Sequence, residues 1–289
     1  MPVGRERPAP DPTGRGSPMS LDAVVAATSQ PATRTSLVRD LRAMGLHAGD
    51  LVLVHSSLSA LGFVVGGAAT VIEALLAVLG PNGTLVMPAH CPDGGDPAHW
   101  RAPPVPSEWV DILRAHRPPY DPARTPTRGM GAIPELFRTW PGVVRSEHPI
   151  GSFAAHGPLA SAVTRDHALG EMLGERSPLG ELYRRDGRIL LLGVGHGANT
   201  SLHLGESRAD WPDKAFIIEG SRILRDGQSE WVSYEMLCWD DDDFPALGAA
   251  YEAGGSHTVG SVGDAEARLF RQRDLVDFAT AWLSETRGT

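Results

Sequence analysis

Two residues in Asn199-Thr-Ser-Leu-His-Leu-Gly-Glu206 are equipped to move a proton, His203 and Glu206. On a helix their spacing of three puts both side chains on one face. A carboxylate beside an imidazole orients the ring, raises its basicity and stabilises the imidazolium, as a general base requires. Thr200, three residues before His203, adds a hydroxyl to the same cluster. The elements that would position them are written just upstream. Ile189-Leu-Leu-Leu-Gly-Val194 reads as a buried strand, Gly195-His-Gly197 as a tight turn, and Asn199 as a helix N-cap.

A second stretch with chemical potential is His55-Ser-Ser-Leu-Ser-Ala-Leu-Gly62, directly after the apolar run Leu51-Val-Leu-Val54. Small hydroxyl side chains and free N–H groups at a helix start make a phosphate cradle. Taken alone, the loop reads rather as a serine-rich turn with one cap. It is not a Walker motif, because no Gly-Lys-Ser/Thr follows. Gly193-Val-Gly-His-Gly-Ala198 fits the G-x-G-x-x-A variant of a dinucleotide fingerprint, and Glu219 stands where that fingerprint wants an acid. The motif sits deep in the chain, however, and His203 and Glu206 place polar groups where a packing face is required. His196, His203 and Glu206 include metal-ligand types without H-E-x-x-H or paired Cys-x-x-Cys spacing, so no metal is expected. No G-x-S-x-G elbow is present, which argues against a serine hydrolase. Trp239-Asp-Asp-Asp-Asp-Phe244 gathers Asp240, Asp241, Asp242 and Asp243; such a run is normally a solvated loop, and it would serve a docked polycation.

The 289 residues suffice for a sizeable core. A net charge of −9 disfavours nucleic acid and suits a cationic small molecule. Apolar runs fall short of the roughly 20 residues of a membrane span, and the N-terminal region lacks the apolar core of a secretory signal. Cys91 and Cys238 are too few for a disulfide framework, so a cytoplasmic setting is expected.

Residues 1–20 are rich in Pro, Gly and Arg, so residues 1–30 read as a disordered extension, with residues 31–289 as a single catalytic domain. Leu37, Val38, Leu41 and Met44 predict a helix over Thr35 to Gly45. Strand Leu51–Val54, helix Thr70–Leu79 and strand Thr84–Met87 form a βαβ unit and point to an α/β fold. Cys91 to Pro126 reads as a long irregular loop, and Ile133–Arg138 as a helix. Ala215–Ile218, Arg222–Leu224 and Glu230–Tyr234 predict strands with a hairpin turn at Arg225–Gln228, and Ala265–Ser284 a closing amphipathic helix. The expected architecture is a central mixed sheet flanked by helices, with a smaller β-rich lobe from the C-terminal half.

An ordered set of segments resembles the aminoglycoside 3-N-acetyltransferase family, the antibiotic N-acetyltransferases unrelated to the GCN5-type fold. The set comprises His55–Gly62, Gly66-Gly-Ala68, Gly83-Thr-Leu-Val-Met-Pro88, Thr125-Pro-Thr127, Met130-Gly131 and Pro134–Arg138. It continues through Arg145-Ser-Glu-His-Pro149, Ser177-Pro-Leu-Gly180, Leu192–Gly195 and Thr200–His203 with Glu206. The resemblance implies that His55, Ser56, Ser57, Leu58 and Ser59, with Thr127 and Met130, bind acetyl-CoA. It implies that His203 and Glu206 activate the substrate amine, with no metal. It also implies that the region of Asp240 to Asp243, together with Glu206, lies near the groove for a cationic aminoglycoside. Cys91–Ser107 falls outside the family pattern.

The expected reaction is direct attack of the 3-amino group of a 2-deoxystreptamine on the thioester, with His203 as base and Thr200 or backbone N–H groups stabilising the oxyanion. An extended acidic run would offer one alternating pair, Asp240 with Asp242 or Asp241 with Asp243, to the antibiotic. Alternatives are acetylation of another amine metabolite, and a nucleotide-dependent oxidoreductase using Gly193–Ala198. Either a monomer or a homodimer is compatible with this reading.

Overall fold

The structure, a computed structural model, describes residues 20–288, so residues 1–19 of the expected extension lie outside the described residues. Residues 20–30 are built into the fold. Ser20 accepts from the Ala23 N–H to cap helix α1 (Leu21–Ala27), which buries Val24. Thr28 Oγ1 donates to the Val24 carbonyl and accepts from the Phe63 N–H, and Ala32 bridges Val64. The expected boundary at residue 30 is therefore too late, because a single buried valine and a bonded threonine tie the segment down.

Helix α2 (Arg34–Ala43) starts from a capping box between Thr33 and Ser36 and buries Leu37 and Leu41. Strand β1 (Leu51–Ser56), helix α3 (Gly67–Leu79) and strand β2 (Thr84–Pro88) form the βαβ unit, with β1 and β2 parallel and Leu53 opposite Val86. Both strands are nearly continuous in buried residues, as strands covered on two faces must be. The Pro-rich stretch that follows contains helix α4 (Val110–His116), and α5 (Ala132–Phe137) succeeds it. Next come β3 (Val144–Arg145), β4 (Phe153–His156), α6 (Ala160–Thr164), α7 (Pro178–Arg184), β5 (Arg188–Leu192) and α8 (Ser201–Arg208). The chain closes with β6 (Phe216–Arg225), β7 (Gln228–Leu237), α9 (Phe244–Gly254), β8 (His257–Val262), β9 (Ala265–Arg271) and α10 (Gln272–Thr286).

Seven strands form one mixed sheet in the order β3-β4-β2-β1-β5-β9-β8, in which β2, β1 and β5 are parallel and the outer pairings antiparallel. One face buries Leu37, Ile72, Leu75 and Phe137 of α2, α3 and α5. The other buries Leu179, Leu182, Leu204 and Val276, with Leu202, Phe244 and Leu275 beside them. Strands β6 and β7 form a separate two-stranded ribbon, the smaller β-rich element expected from the C-terminal half. Asp226 and Gly227 turn it with positive φ (51° and 74°), as a two-residue hairpin demands.

Two expectations differ. Ala215–Ile218 and Arg222–Leu224 belong to one strand, because Gly220 lacks a Cβ where the Trp231 ring crosses and so does not break it. Residues 265–271 are strand rather than helix. Ala265, Ala267 and Leu269 are buried while Glu266 is exposed, a period of two, and the helical period begins only at Gln272. No helix among the described residues is long and apolar enough to cross a membrane.

Candidate active site

From β1 the chain passes over one face through α3 to β2, and later enters β5 on the opposite side of β1. The carboxyl ends of β1 and β5 therefore flank a topological switch point, where open α/β sheets place ligands. His55 lies near the end of β1 and is 4% exposed. Beyond β5, Thr200 rather than the expected Asn199 stands at the N-cap of α8, and Asn199, one residue earlier, turns the chain into the helix. Its Oδ1 accepts from the Ser201 N–H (3.2 Å) and its carbonyl from the Leu202 N–H (3.1 Å). Thr200 Oγ1 thereby comes within 3.3 Å of His55 Nε2.

One turn into α8, His203 Nδ1 stands 2.6 Å from Glu206 Oε2. Trp239 stands edge-on to the imidazole at 5.3 Å, and Phe244 lies at 4.6 Å, so the ring has little freedom. An ionised carboxylate only accepts, so Nδ1 carries the proton and Nε2 keeps its lone pair. Glu206 is completely buried, and its second oxygen accepts from the Asp240 N–H (3.0 Å) and from Arg287 Nη1 (2.7 Å). The expected contact of Glu206 with substrate finds no exposed atom to make it.

His90 was not anticipated. It follows the carboxyl end of β2 as His55 closes β1, a positional signal that the strand pattern carried. Its ring meets Phe153 edge-on at 5.1 Å and its Nε2 is buried without a partner. Burial, then the neighbouring charges of His55, His203, His148 and Arg145, lower its pKa to about 3. Burial alone lowers His55 to about 3. Both rings are neutral. His148 is fully buried and committed: Nδ1 accepts from the N–H groups of Ile150 (3.2 Å) and Gly151 (3.0 Å), and Nε2 donates to the Leu169 carbonyl (3.0 Å). Neither of its nitrogens is left free to take up a proton.

The serine loop leaves β1 at the same edge. Ser57 N–H donates to the Leu192 carbonyl (3.0 Å), Ser57 Oγ lies 3.2 Å from Ser59 Oγ, and Ser56 Oγ is buried without a partner. The Leu58 side chain is half-buried and packs against the core. Thr127 is on the segment entering α5, where its N–H and hydroxyl both donate to Glu135 Oε2 at 2.8 and 2.7 Å. Burial opposes the charge of Glu135, but the bonds from Arg138 and Thr127 prevail and bring its pKa to about 2. Met130 is half-buried two residues before that helix.

A cleft of about 540 Å³ is lined by Asp240, Asp241 and Asp242 with Trp211, Trp239, Arg101 and Arg287. Asp243 takes another role, accepting from Arg287 Nε and Nη2 at 2.8 Å each. Residues 240–243 are an irregular turn running into α9, not an extended segment, so the expected alternation fails and three consecutive carboxylates line the cleft. The dinucleotide geometry is not built. His196 points to Glu252 (2.9 Å), and Glu219 lies in the ribbon, accepting from the N–H groups of Asp96 (2.6 Å) and Gly220 (2.8 Å). A dinucleotide acid would end a parallel neighbour of β5.

The family described as aminoglycoside 3-N-acetyltransferase matches residues 53–284. The SPbeta prophage-derived aminoglycoside N(3')-acetyltransferase-like protein YokD of Bacillus subtilis (strain 168) is 45% identical over 261 residues, 90% of this chain and 95% of its own. The YokD crystal structure is similar with a TM-score of 0.89 at 44% identity, covering 92% of this chain and 98% of the other. Aminoglycoside N(3)-acetyltransferase VII of Streptomyces paromomycinus is 39% identical over 285 residues, 92% of this chain and 96% of its own. A structure of AAC-IIIb binary with CoASH reaches a TM-score of 0.80 at 34% identity, covering 90% of this chain and 99% of the other.

Proposed function

The chain belongs to the aminoglycoside 3-N-acetyltransferase family, and from that premise we propose that it transfers acetyl from acetyl-CoA to the 3-amino group of a 2-deoxystreptamine aminoglycoside. The observation that carries the reading is the His203–Glu206 pair, 2.6 Å apart, joined through Trp239, Asp240 and Arg287 to the wall of a cleft lined by three consecutive carboxylates. An aminoglycoside presents several ammonium groups, and ionised carboxylates in a polar cleft are their natural counterpart. The AAC-IIIb neighbour is described with coenzyme A, which supports acetyl-CoA as donor here. Residues 31–289 form the catalytic domain in this reading, and the cytoplasm, where acetyl-CoA is made, is its place of action.

The chemistry follows from the geometry. The neutral amine attacks the thioester carbonyl while His203 Nε2 takes its proton, and the carbonyl electrons move to oxygen. Glu206, paired with the opposite edge of the ring, stabilises the imidazolium. His55 Nε2 lies 3.3 Å from Thr200 Oγ1; in the Nε2–H tautomer of the neutral ring it donates to that hydroxyl, which leaves the threonine proton free for the oxyanion. Collapse re-forms the carbonyl, breaks the C–S bond, and the thiolate leaves with the proton from His203. Ser56, Ser57 and Ser59 with the Leu58 backbone hold the pantetheine and pyrophosphate, Thr127 shapes the opposite wall through Glu135, and Met130 packs beside it. No acyl-enzyme is needed, because the thiolate is already a competent leaving group.

A second reading is acetylation of another amine metabolite. Arg101 favours it, because it also lines the cleft and brings a positive charge toward a polycation. One assay separates the two: thiol release from acetyl-CoA with a panel of 2-deoxystreptamine aminoglycosides and of mono- and diamines, with the acetylated nitrogen located by NMR. Turnover on N3 of any aminoglycoside, lost by about 10²–10⁴-fold in His203→Ala, is the expected result. Turnover confined to small amines selects the second reading, and full turnover in folded His203→Ala removes the mechanism.

A further inference from the structure

Arg287 caps α10 and reaches back across the fold with four of its N–H groups. Nη1 donates to Glu206 Oε1 (2.7 Å), Nε and Nη2 to the two oxygens of Asp243 (2.8 Å each), and Nη2 also to the Asp240 carbonyl (2.8 Å). Its guanidinium lies over the Trp211 ring at 5.0 Å, and its side chain is 13% exposed. One cation thus joins the buried carboxylate behind His203 to the turn whose remaining carboxylates line the cleft. A carboxylate without solvent exposure needs a counter-charge as well as hydrogen bonds. Burial opposes the charge of Arg287, but the bonds from Asp243 and Glu206 outweigh it and raise its proton affinity. It is a permanent cation.

Resting on the reading of His203 as base, we infer that Arg287 is a positioning residue for acetyl transfer. It holds Glu206 in register with Nδ1 of His203 and, by its charge, limits how tightly the His203–Glu206 pair binds a proton. The second effect matters because a pair that binds a proton too tightly is blocked at neutral pH. The charged and titratable groups around the pair are Arg287 from α10, Asp240 and Asp243 from the turn before α9, His90 beyond β2, and Lys214. Lys214 acts on Glu206 while its Nζ donates to the Ser207 and Ala209 carbonyls (2.8 and 2.6 Å). Of these groups, Arg287 and the Asp240 N–H touch a Glu206 oxygen directly, and only Arg287 brings a charge. Removing that positive charge tightens proton binding to the pair whether the proton rests on imidazole or carboxylate, so the sign does not depend on the assignment.

The test is the pH profile of kcat/KM for Arg287→Met, Arg287→Lys, Asp243→Asn and His203→Ala, with folding checked by circular dichroism. Arg287→Met should move the acid limb up by about one pH unit, lowering kcat/KM by up to about tenfold on the acid side of the limb and little on the alkaline plateau. Arg287→Lys should return the limb toward wild type while kcat stays reduced, since the charge is kept and the forked geometry lost. Asp243→Asn should move the limb the other way, because it strips an anion from the same cation. A folded Arg287→Met with an unmoved limb overturns the inference, as does an unmoved limb in Asp243→Asn should the methionine variant fail to fold. Retained turnover in His203→Ala overturns the general-base reading instead, so the two failures are distinct.

Discussion

Thr200 Oγ1 and His55 Nε2 meet at 3.3 Å although 145 residues separate them in the chain. The contact exists because β1 and β5 are parallel neighbours, with His55 opposite Leu191, so the turn beyond β5 folds over the end of β1. It joins two residues from separate candidate segments into one contact. His55 is held neutral by burial, with a pKa of about 3, so it can supply one N–H and no charge. A hydroxyl oriented by that N–H is ready before the oxyanion forms, which is what preorganised stabilisation requires.

Thr200→Val tests this, because it keeps the shape and deletes the hydroxyl. It should lower kcat by about 10²-fold and leave both KM values near wild type. His55→Phe should lower kcat less, since Thr200 survives without its guide. Unchanged kcat in folded Thr200→Val would assign the oxyanion to backbone N–H groups.

The serine loop should answer to the donor and not to the acceptor. Ser57 sits between the Leu192 carbonyl and Ser59 Oγ, and a bulky side chain there would fill the space given to pantetheine. Ser57→Leu should raise KM for acetyl-CoA by about tenfold or more and change KM for the aminoglycoside little. Calorimetry with coenzyme A alone checks the same point. Equal losses on both substrates would show that the loop supports the fold rather than the cosubstrate.

Much of this was legible because it is local. The i, i+3 spacing of His203 and Glu206 follows from helix geometry, and the βαβ unit from apolar runs of strand and helix length. Burial was not legible. Glu206 looks identical in sequence whether it faces substrate or, as here, is sealed behind His203. Long-range partners were equally hidden: Arg287 lies 81 residues from Glu206, and one arginine near the end of an amphipathic helix carries no mark of its partner. Strand β9 was hidden by its small residues, since Ala265 and Ala267 suit a helix as well as a central strand, and only pairing with β5 decides. The acidic run was recognisable, but its turn was not, so the alternation argument rested on the wrong backbone.

Buried neutral histidines make stability depend on pH in a defined direction. Burial lowers His148 from an ordinary 6.5 to about 4, and His55 to about 3. Between about pH 6.5 and pH 4 the unfolded chain binds these protons and the native state does not. Stability is therefore intact above 6.5 and is lost as pH falls, by about 1.4 kcal/mol per pH unit for each histidine. Two such groups remove roughly 3 kcal/mol per unit from a typical total of about 5–15. Urea midpoints measured from pH 8 to pH 4.5 should fall steeply below 6.5. His148→Gln should lower the midpoint at pH 8 yet flatten the acid slope only in part, because buried His55, His90 and His167 titrate in the same direction, and a midpoint unchanged between pH 7 and pH 5 would exclude this origin.

The acidic turn divides into carboxylates that face the cleft and one that does not. Asp240, Asp241 and Asp242 line it, and the Asp242 N–H donates to Asp240 Oδ1 (3.0 Å), which shapes the turn without neutralising either charge. Asp243 has its oxygens on Arg287. A partly exposed ion pair is worth up to about 1 kcal/mol, so a single Asp→Asn change in the cleft should raise the aminoglycoside KM by only about three- to fivefold. The signature lies in its salt dependence. Screening weakens exposed pairs, so wild-type KM should rise with ionic strength, and Asp240→Asn with Asp242→Asn should flatten that rise while leaving acetyl-CoA KM unchanged. Asp243→Asn should behave differently, with near-normal aminoglycoside KM and a displaced pH profile, because its charge is spent on the cation behind Glu206. If Asp243→Asn raised the aminoglycoside KM and the cleft variants did not, the polycation would be docking on the other side of the turn.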